Sequence, residues 1–529
     1  MDRYKQHIYK QAALNSNVTL YPHQQRVVDN PSSEMIVAHS VGSGKTLTGI
    51  AKFEKMKEQG QANKALVVVP AGLRTNFGEQ GVGKFTDSKY NIVGNKQEQR
   101  KKIFSDIDPT ADYNIVSYEM FRRNPKHYIE ASGADTVIVD EAHRSKTENT
   151  QTTNSLKNTR NLYKNYIGLT GSVISNGISD VQPLIDVASG GNHSLGRSKN
   201  EFEKMYLKRS NKKEYADLPE KRRPVTGFKN QKMLEDELLK HLDYVDYQDI
   251  KRIANMPDKQ VHLVKVPLSK EQAKAYKKML KDDPKIYQLI TRKRLETMKN
   301  EEIANAFSAL IEQRKLMNSA NTVVPGMSLE ESYEKTPKTK RAIEDIVKHL
   351  EETPDGQALL LTHLVNGGVD VAEAGLRKNH IPYGKFIGKS KDLTEEMRQQ
   401  NVRDFNDRKN KVMIISPAGN EGLSLNDTTF EAVLDPHFNP EKMNQMEARG
   451  IRSGGLSHRP KKDRNVVVNR YIATMPKRFG ILKDNTPTPD EFIYEIASNK
   501  AKNNDMFFKY LKKIRRKAER KGKDKWRIR

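Results

Sequence analysis

The apolar run Met35-Ile36-Val37-Ala38 leads, after three further residues, into GSGKT at 42–46, and Leu47-Thr48-Gly49-Ile50-Ala51 continues in helix-forming residues. A strand, a glycine turn and a helix N-terminus in that order leave several backbone N–H groups free to surround a polyphosphate. Gly42, Ser43 and Gly44 supply that backbone, Lys45 adds a point charge for the β- and γ-phosphates, and the Thr46 hydroxyl suits Mg²⁺. His39 stands where the first Gly or Ala of such a loop is usual. The cradle is made by backbone, so the departure is tolerable.

The rest of the chain repeats this strand-and-helix rhythm. Apolar strand candidates recur at Met35–Ala38, Ala65–Val69, Tyr113–Val116, Val137–Val139 and Tyr166–Leu169, separated by stretches of helix periodicity. A second series runs through Ala358–Leu361, Ile381–Phe386, Val412–Ile415, Ala432–Leu434 and Val466–Tyr471. Such spacing argues for parallel sheets wound on both faces, hence an α/β protein with two sheet-bearing units. The chain has 529 residues, too many for one core at about 150 residues per domain. The expected divisions are an N-terminal extension (1–17), a first lobe (18–190), a mostly helical insertion (191–335), a second lobe (336–484) and a basic C-terminal extension (485–529). Within the insertion, the strand at 261–266 is expected to return to the first sheet.

DEAH at 140–143 closes the strand candidate Thr136-Val137-Ile138-Val139. Asp140 and Glu141 thereby reach the carboxyl edge of a parallel sheet, where ligands of open α/β folds bind. Asp140 can hold Mg²⁺ and Glu141 can polarise a water attacking a γ-phosphate. Acidic pairs after strands are common, and the force of this one comes from the glycine loop upstream; together they point to ATP. Thr170-Gly171-Ser172 follows the strand at 166–169, and Thr170 could link the metal site to a neighbouring surface by hydrogen bonds. Arg449 and Arg452, in NQMEARGIRSG, lie at i and i+3 and project to one side of a helix or its frayed end. From a second domain they could neutralise charge on the transferring phosphoryl group.

The formal charge is +26, with no cysteine, which excludes disulfides and thiolate metal centres and favours a polyanionic partner. Residues 509–529 hold 12 Lys or Arg against two acids, with Tyr510 and Trp526 interleaved. Lys512, Lys513, Arg515 and Arg516 could track a phosphate backbone; the competing view is a solubilising tail. Phe507, Phe508, Leu511 and Ile514 fit one helical face, so the start of this segment is expected to dock on the body. The N-terminus lacks the apolar core of a signal peptide, and no apolar run approaches the ~18–20 residues that cross a bilayer. A cytoplasmic protein without membrane contact is expected, in a bacterial or phage-infected cell.

In sum, the motifs resemble those of superfamily 2 helicase-type ATPases, most closely the Swi/Snf-like DNA translocases. LYPHQ at 20–24 is similar to the family's adenine-reading segment, which implies that Gln24 meets the base. LVVVPAGLRTNF at 66–77 resembles a segment whose loop touches nucleic-acid backbone, implying such a role for Arg74. VSYEMF at 116–121, LTGSVISN at 169–176, the stretch 256–276, TPKTKRAIEDIV from Thr336 and HFNP at 437–440 follow in the family's order. The resemblance of LTGSVISN implies a nucleic-acid contact for Thr170. ISPAGNEGLSLN at 415–426 resembles the loop coupling nucleic acid to ATP, placing Gly419 on nucleic acid, and Gln445 joins Arg449 and Arg452 on the nucleotide. VDYQDIKR at 245–252 replaces a basic family segment, and Asn420 and Glu421 replace Gly and Leu.

The resemblance implies two RecA-like motor lobes using ATP and Mg²⁺ and moving along duplex or branched DNA through its phosphate backbone, with RNA ranked second. A strand-separating DNA or RNA helicase and a basic nucleic-acid-binding scaffold with a vestigial ATPase are the alternatives. Protein partners are left open.

Overall fold

The computed structural model describes residues 14–94, 105–254, 256–292, 295–324, 326–388, 393–416, 425–451, 455–477 and 484–520. They form two compact units: Met1–Ser210 with Val225–Ala254 and Asn504–Arg529, and Asn211–Pro224 with Asn255–Asn503. Among the described residues no helix is long and apolar enough to cross a membrane.

The first unit is built on strands β1 (Glu34–His39), β2 (Ala65–Val69), β3 (Tyr90–Ile92), β4 (Tyr113–Ser117), β5 (Thr136–Asp140), β6 (Asn165–Thr170) and β9 (Leu242–Val245) in the order β3-β4-β2-β5-β6-β1-β9. All neighbours pair in parallel. The central strands are apolar and buried along their whole length, as a sheet covered on both faces requires. One face packs on a core containing Val27, Ile50, Phe53 and Phe77, the other on Tyr118, Phe121, Ile174 and Leu184. A short antiparallel ribbon, β7 (Leu207–Arg209) with β8 (Val225–Phe228), follows.

The second unit carries β10 (Asp258–Pro267), β11 (Gln357–Leu361), β12 (Tyr383–Phe386), β13 (Val412–Ile415), β14 (Thr428–Val433) and β15 (Asn465–Thr474), in the order β10-β15-β14-β11-β13-β12. Its pairs are parallel too. The expected α/β class with two parallel-sheet lobes is what the chain adopts.

The expectation for residues 261–266 is corrected. They lie in β10, which pairs with β15 from Asp258↔Asn465 to Pro267↔Thr474 and so belongs to the second sheet. The strand that returns to the first sheet is β9, against β1. The sequence LDYV hides it, because an acid interrupts an already short apolar run. Nor does the stretch 191–335 stand as a body of its own: it is mostly helical, but residues 225–254 pack in the first unit and residues 211–224 and those from 255 on in the second.

The helix Pro489–Arg520 contributes Phe492, Ile493 and Ile496 to a core of the second unit and its later residues to the first. Phe507, Tyr510, Leu511 and Ile514 are buried in the first unit's core, with Phe508 packed beside them. The expected apolar face therefore docks. This makes the start of the basic extension structural: Leu511→Ala or Ile514→Ala should each cost about 2–5 kcal/mol of first-unit stability, read as a shifted denaturant midpoint, whereas Lys513→Ala on the exposed side should leave that midpoint in place.

Candidate functional site

Three adjacent strands, in the order β5-β6-β1, end at one edge of the first sheet. Their registers pair Ala38 with Thr170 and Asp140 with Leu169. GSGKT, DEAH and the Thr170-Gly171-Ser172 turn thus leave the sheet side by side.

The glycine loop enters helix α2 (Lys45–Glu58) through Gly44, which caps it in the left-handed region at φ 75°, and Gly42 has φ 82°. The left-handed dihedral demands glycine, and a Cβ at Gly44 would lie 2.5 Å from Gln24 Nε2 and push that side chain off the loop carbonyls. The first-turn N–H groups of α2 lack intrahelical partners by construction, and the dipole adds positive potential there. Lys45 and Thr46 are the first residues of this turn.

Gln24, on helix α1 (Pro22–Asp29), holds the loop. Its Nε2 donates to the carbonyls of Ser43 and Gly44 at 3.3 Å each, and its Oε1 accepts from Tyr21 N–H at 2.8 Å. His23 Nε2 donates to the Ser43 carbonyl at 3.0 Å. The residue that the resemblance assigns to the base is here bonded to phosphate-loop backbone.

Asp140 accepts from Glu141 N–H at 2.9 Å. Glu141 adopts φ 51°, ψ 46°, an uncommon conformation for a residue with a Cβ, which costs about 1–3 kcal/mol and persists only where its surroundings impose it. They do: the Tyr118 hydroxyl donates to the Asp140 carbonyl at 2.7 Å and reaches that of Glu141 at 3.2 Å, and the Arg144 guanidinium covers the Tyr118 ring. His143 Nδ1 lies 3.1 Å from Glu141 Oε2 and 3.3 Å from Thr170 Oγ1. The last residue of DEAH therefore lies between the acid pair and the hydroxyl turn. Neither Tyr118 in VSYEMF nor His143 in DEAH has a role legible in its motif; the neighbours in space supply one.

His39 ends β1 and is fully buried. Its Nε2 is 2.7 Å from Asp243 Oδ1 on β9, and Arg26 of α1 binds the same carboxylate at 2.7 and 2.6 Å. Burial opposes the charge on Asp243, yet Arg26 and His39 outweigh it and hold this carboxyl well below the usual range. Burial lowers His39, and burial together with His39 lowers His23 to about 4.

Arg74 is buried, its guanidinium donating to the carbonyls of Ala71 and Val93. Thr170 is buried as well, bonded to Ser172. In the second unit, Gln445 lies on the helix Pro440–Glu447 and Arg449 just past its end, both half-buried. The preceding Glu447 is fully buried and bound by Arg470 at 2.8 and 2.9 Å and by Lys259 of β10, which anchors the turn leading to Arg449. Lys512 and Arg515 pair with Asp246 and Asp249 of the first unit, while Lys513 and Arg516 are exposed. Gly419 and Arg452 lie outside the described residues, as do Asn420 and Glu421.

The donor set fits a magnesium polyphosphate: left-handed glycines open the loop, a Thr hydroxyl and a carboxylate are the oxygen donors that such a metal takes, and a lysine is placed in the helix's first turn. A phosphate loop, an acid pair and a hydroxyl turn on neighbouring parallel strands define a P-loop nucleoside-triphosphatase site. Among known families, the SNF2-related domain matches residues 9–322 and the helicase conserved C-terminal domain matches residues 341–454. The chain belongs to the SNF2-related family and is an ATP-hydrolysing enzyme of the helicase type. A protein of Acanthamoeba polyphaga mimivirus named as an ATP-dependent RNA helicase is 24% identical over 92% of this chain and 94% of its own length. The Bacillus subtilis ATP-dependent helicase YqhH is 25% identical over 82% of this chain and 73% of its own. The Danio rerio DNA repair and recombination protein RAD54-like is 25% identical over 79% of this chain and 58% of its own.

Gly44→Ala should abolish ATP binding in a nucleotide titration, because it combines backbone strain with a clash on Gln24; Gly60→Ala, with φ 69° and open space around it, should keep that binding. Acid should also weaken the site. A histidine held below its unfolded value contributes stability that is complete above about pH 6.5 and declines as pH falls toward the folded value. For His23 that window runs from about 6.5 to about 4, so melting should drop between pH 7 and 5 and His23→Gln should flatten the slope.

Proposed function

We propose that the chain is an ATP-driven translocase on duplex or branched DNA, gripping the phosphate backbone without reading sequence. The observation that carries this reading is the family match across residues 9–322, continued by the helicase C-terminal match. The name of the RAD54-like relative refers to DNA, and a net charge of +26 suits a phosphate track. Backbone contacts position such a protein and base edges would specify a sequence; translocation needs only the former.

In this reading Gly42 and Gly44 present N–H groups to the phosphates, while the Ser43 N–H is donated to the Ser40 carbonyl at 3.2 Å and closes the turn, and Lys45 offsets the phosphate charge. Thr46 and Asp140 would hold Mg²⁺, which on binding supplies charge neutralisation at the β- and γ-oxygens. Glu141, set by its strained backbone and by Tyr118, orients the attacking water, and His143 carries its position to Thr170. Gln24 keeps the loop open from below. Arg449 and Arg452 are assigned the developing charge on the transferring phosphoryl group, an effect worth about 10³–10⁵ in rate in known cases. Gln445 is assigned a nucleotide contact, and Gly419, Lys513 and Arg516 are assigned nucleic-acid contacts; Arg74 and Thr170, both buried and bonded internally, are assigned none.

The mimivirus relative's name refers to RNA, so an RNA-directed helicase is the second reading. One experiment separates the two: ATPase stimulation by duplex DNA, single-stranded DNA and RNA, run beside strand displacement. Duplex stimulation without displacement is expected, and stimulation by RNA alone would overturn the proposal. Lys45→Ala and Glu141→Gln should abolish turnover while DNA binding persists; full turnover by either would remove the site assignment.

A further inference from the structure

The edge strand β9 has a different partner on each face. Asp243 points to α1 and β1, where Arg26 and His39 take its carboxylate. Leu242 and Tyr244 point the other way, into the core that holds Phe507, Tyr510, Leu511 and Ile514, as strand alternation requires. There the Tyr244 ring stacks on Phe508 at 5.2 Å, interplanar angle 5°, and the Tyr244 carbonyl accepts from Arg515 at 2.6 Å. Arg515 also reaches Asp249 at 3.3 Å, and Lys512 pairs with Asp246.

The other end of this chain of contacts is the phosphate loop. Val245 at the end of β9 accepts from Ser40 N–H at 3.0 Å, two residues before Gly42. Arg26 lies on the same helix as His23 and Gln24, which hold the carbonyls of Ser43 and Gly44. Of the three places where this chain departs from the family's pattern, two, His39 and VDYQDIKR at 245–252, are in this network. His39 faces Asp243, and Asp246 and Asp249 face the basic helix.

We infer that Asp243 is a positioning residue for ATP binding and that the C-terminal helix, through Arg515 and Phe508 on Tyr244, sets the strand that carries it. Basic residues of the extension then serve the nucleotide site whether or not nucleic acid is present. A carboxylate shared by a guanidinium and an imidazole is directional, so displacing β9 pulls α1 and the end of β1 together. Misplacement of a loop by about 1 Å can cost about 100-fold in rate, and that sensitivity gives the helix its leverage. The inference rests on residues 42–46 being the ATP loop.

The test uses the full chain without nucleic acid, reading steady-state ATPase with Mg²⁺, affinity for a fluorescent ATP analogue, and melting. Asp243→Asn, close to isosteric, and Arg515→Ala should each raise KM for ATP about tenfold while kcat at saturation stays within about twofold. Arg515→Lys should recover part of the loss. Lys517→Ala, which removes another ion pair of the C-terminal helix, to Glu235 of the helix Gln231–His241, should match the parent chain. Combining Asp243→Asn with Arg515→Ala should give less than the product of the single effects, the signature of a shared path. Unchanged KM in both single variants overturns the inference, as does a fall in kcat in proportion to the folded fraction with KM unmoved. If Lys45→Ala binds ATP normally, the ATP-loop reading itself fails; loss in Lys45→Ala with normal binding in Asp243→Asn overturns only the positioning role.

Discussion

The parallel pairing of β5, β6 and β1 is the constraint on which the site depends. Strand side chains alternate with period two, so a one-residue slip in either pairing would turn a motif-bearing strand end inward and its neighbour outward. The register instead sends three loops off one edge together. It is held by strands apolar on both faces, between two cores of similar character. Hydrophobic burial thus sets chemical geometry that no single polar contact could impose.

Polar contacts then do what burial cannot. Apolar packing is non-directional, and an anion cradle needs carbonyls turned away and N–H groups turned inward. His23 and Gln24 draw the Ser43 and Gly44 carbonyls to one side. Tyr118 does the same for Asp140 and Glu141, which stabilises a backbone conformation that Glu141 would otherwise avoid. In the second unit Glu447 plays the corresponding part ahead of Arg449, held by cations from two strands. Each segment to which chemistry is assigned is set by a neighbour to which none is. Removing one partner of such a buried ion pair typically costs 3–5 kcal/mol, while a hydrophobic replacement of the whole pair can be neutral. Their value is orientation more than stability.

This division explains what could be read in the sequence. The strands of both sheets announce themselves, because burial on two faces writes Val, Ile and Leu into consecutive positions, as at Ala65–Val69 and Ala358–Leu361. The motif residues announce themselves too, because their chemistry is local. The supports were not legible. Asp243 is an acid inside an edge strand, and its two partners lie 217 and 204 residues away in sequence. The same acid concealed β9, which left Val261–Val266 as the obvious candidate to rejoin the first sheet. That segment has the right alternation for a half-exposed strand, and alternation carries no information about which sheet it joins.

The strong positive charge is a further case where composition and position part. Of the four cations singled out at the start of the C-terminal extension, Lys512 and Arg515 turn inward to acids of the first unit, and Lys513 and Arg516 turn out. Arg26, Lys259, Lys338 and Arg470 are likewise engaged with carboxylates within their own units. A cation paired in a desolvated setting contributes little to the potential that a distant polyanion feels, because its partner cancels the field at short range. The net charge therefore overstates the surface open to a polyanion, and among the described residues the start of the basic extension divides by helical face: Lys512 and Arg515 belong to the first unit's own architecture, and Lys513 and Arg516 face solvent.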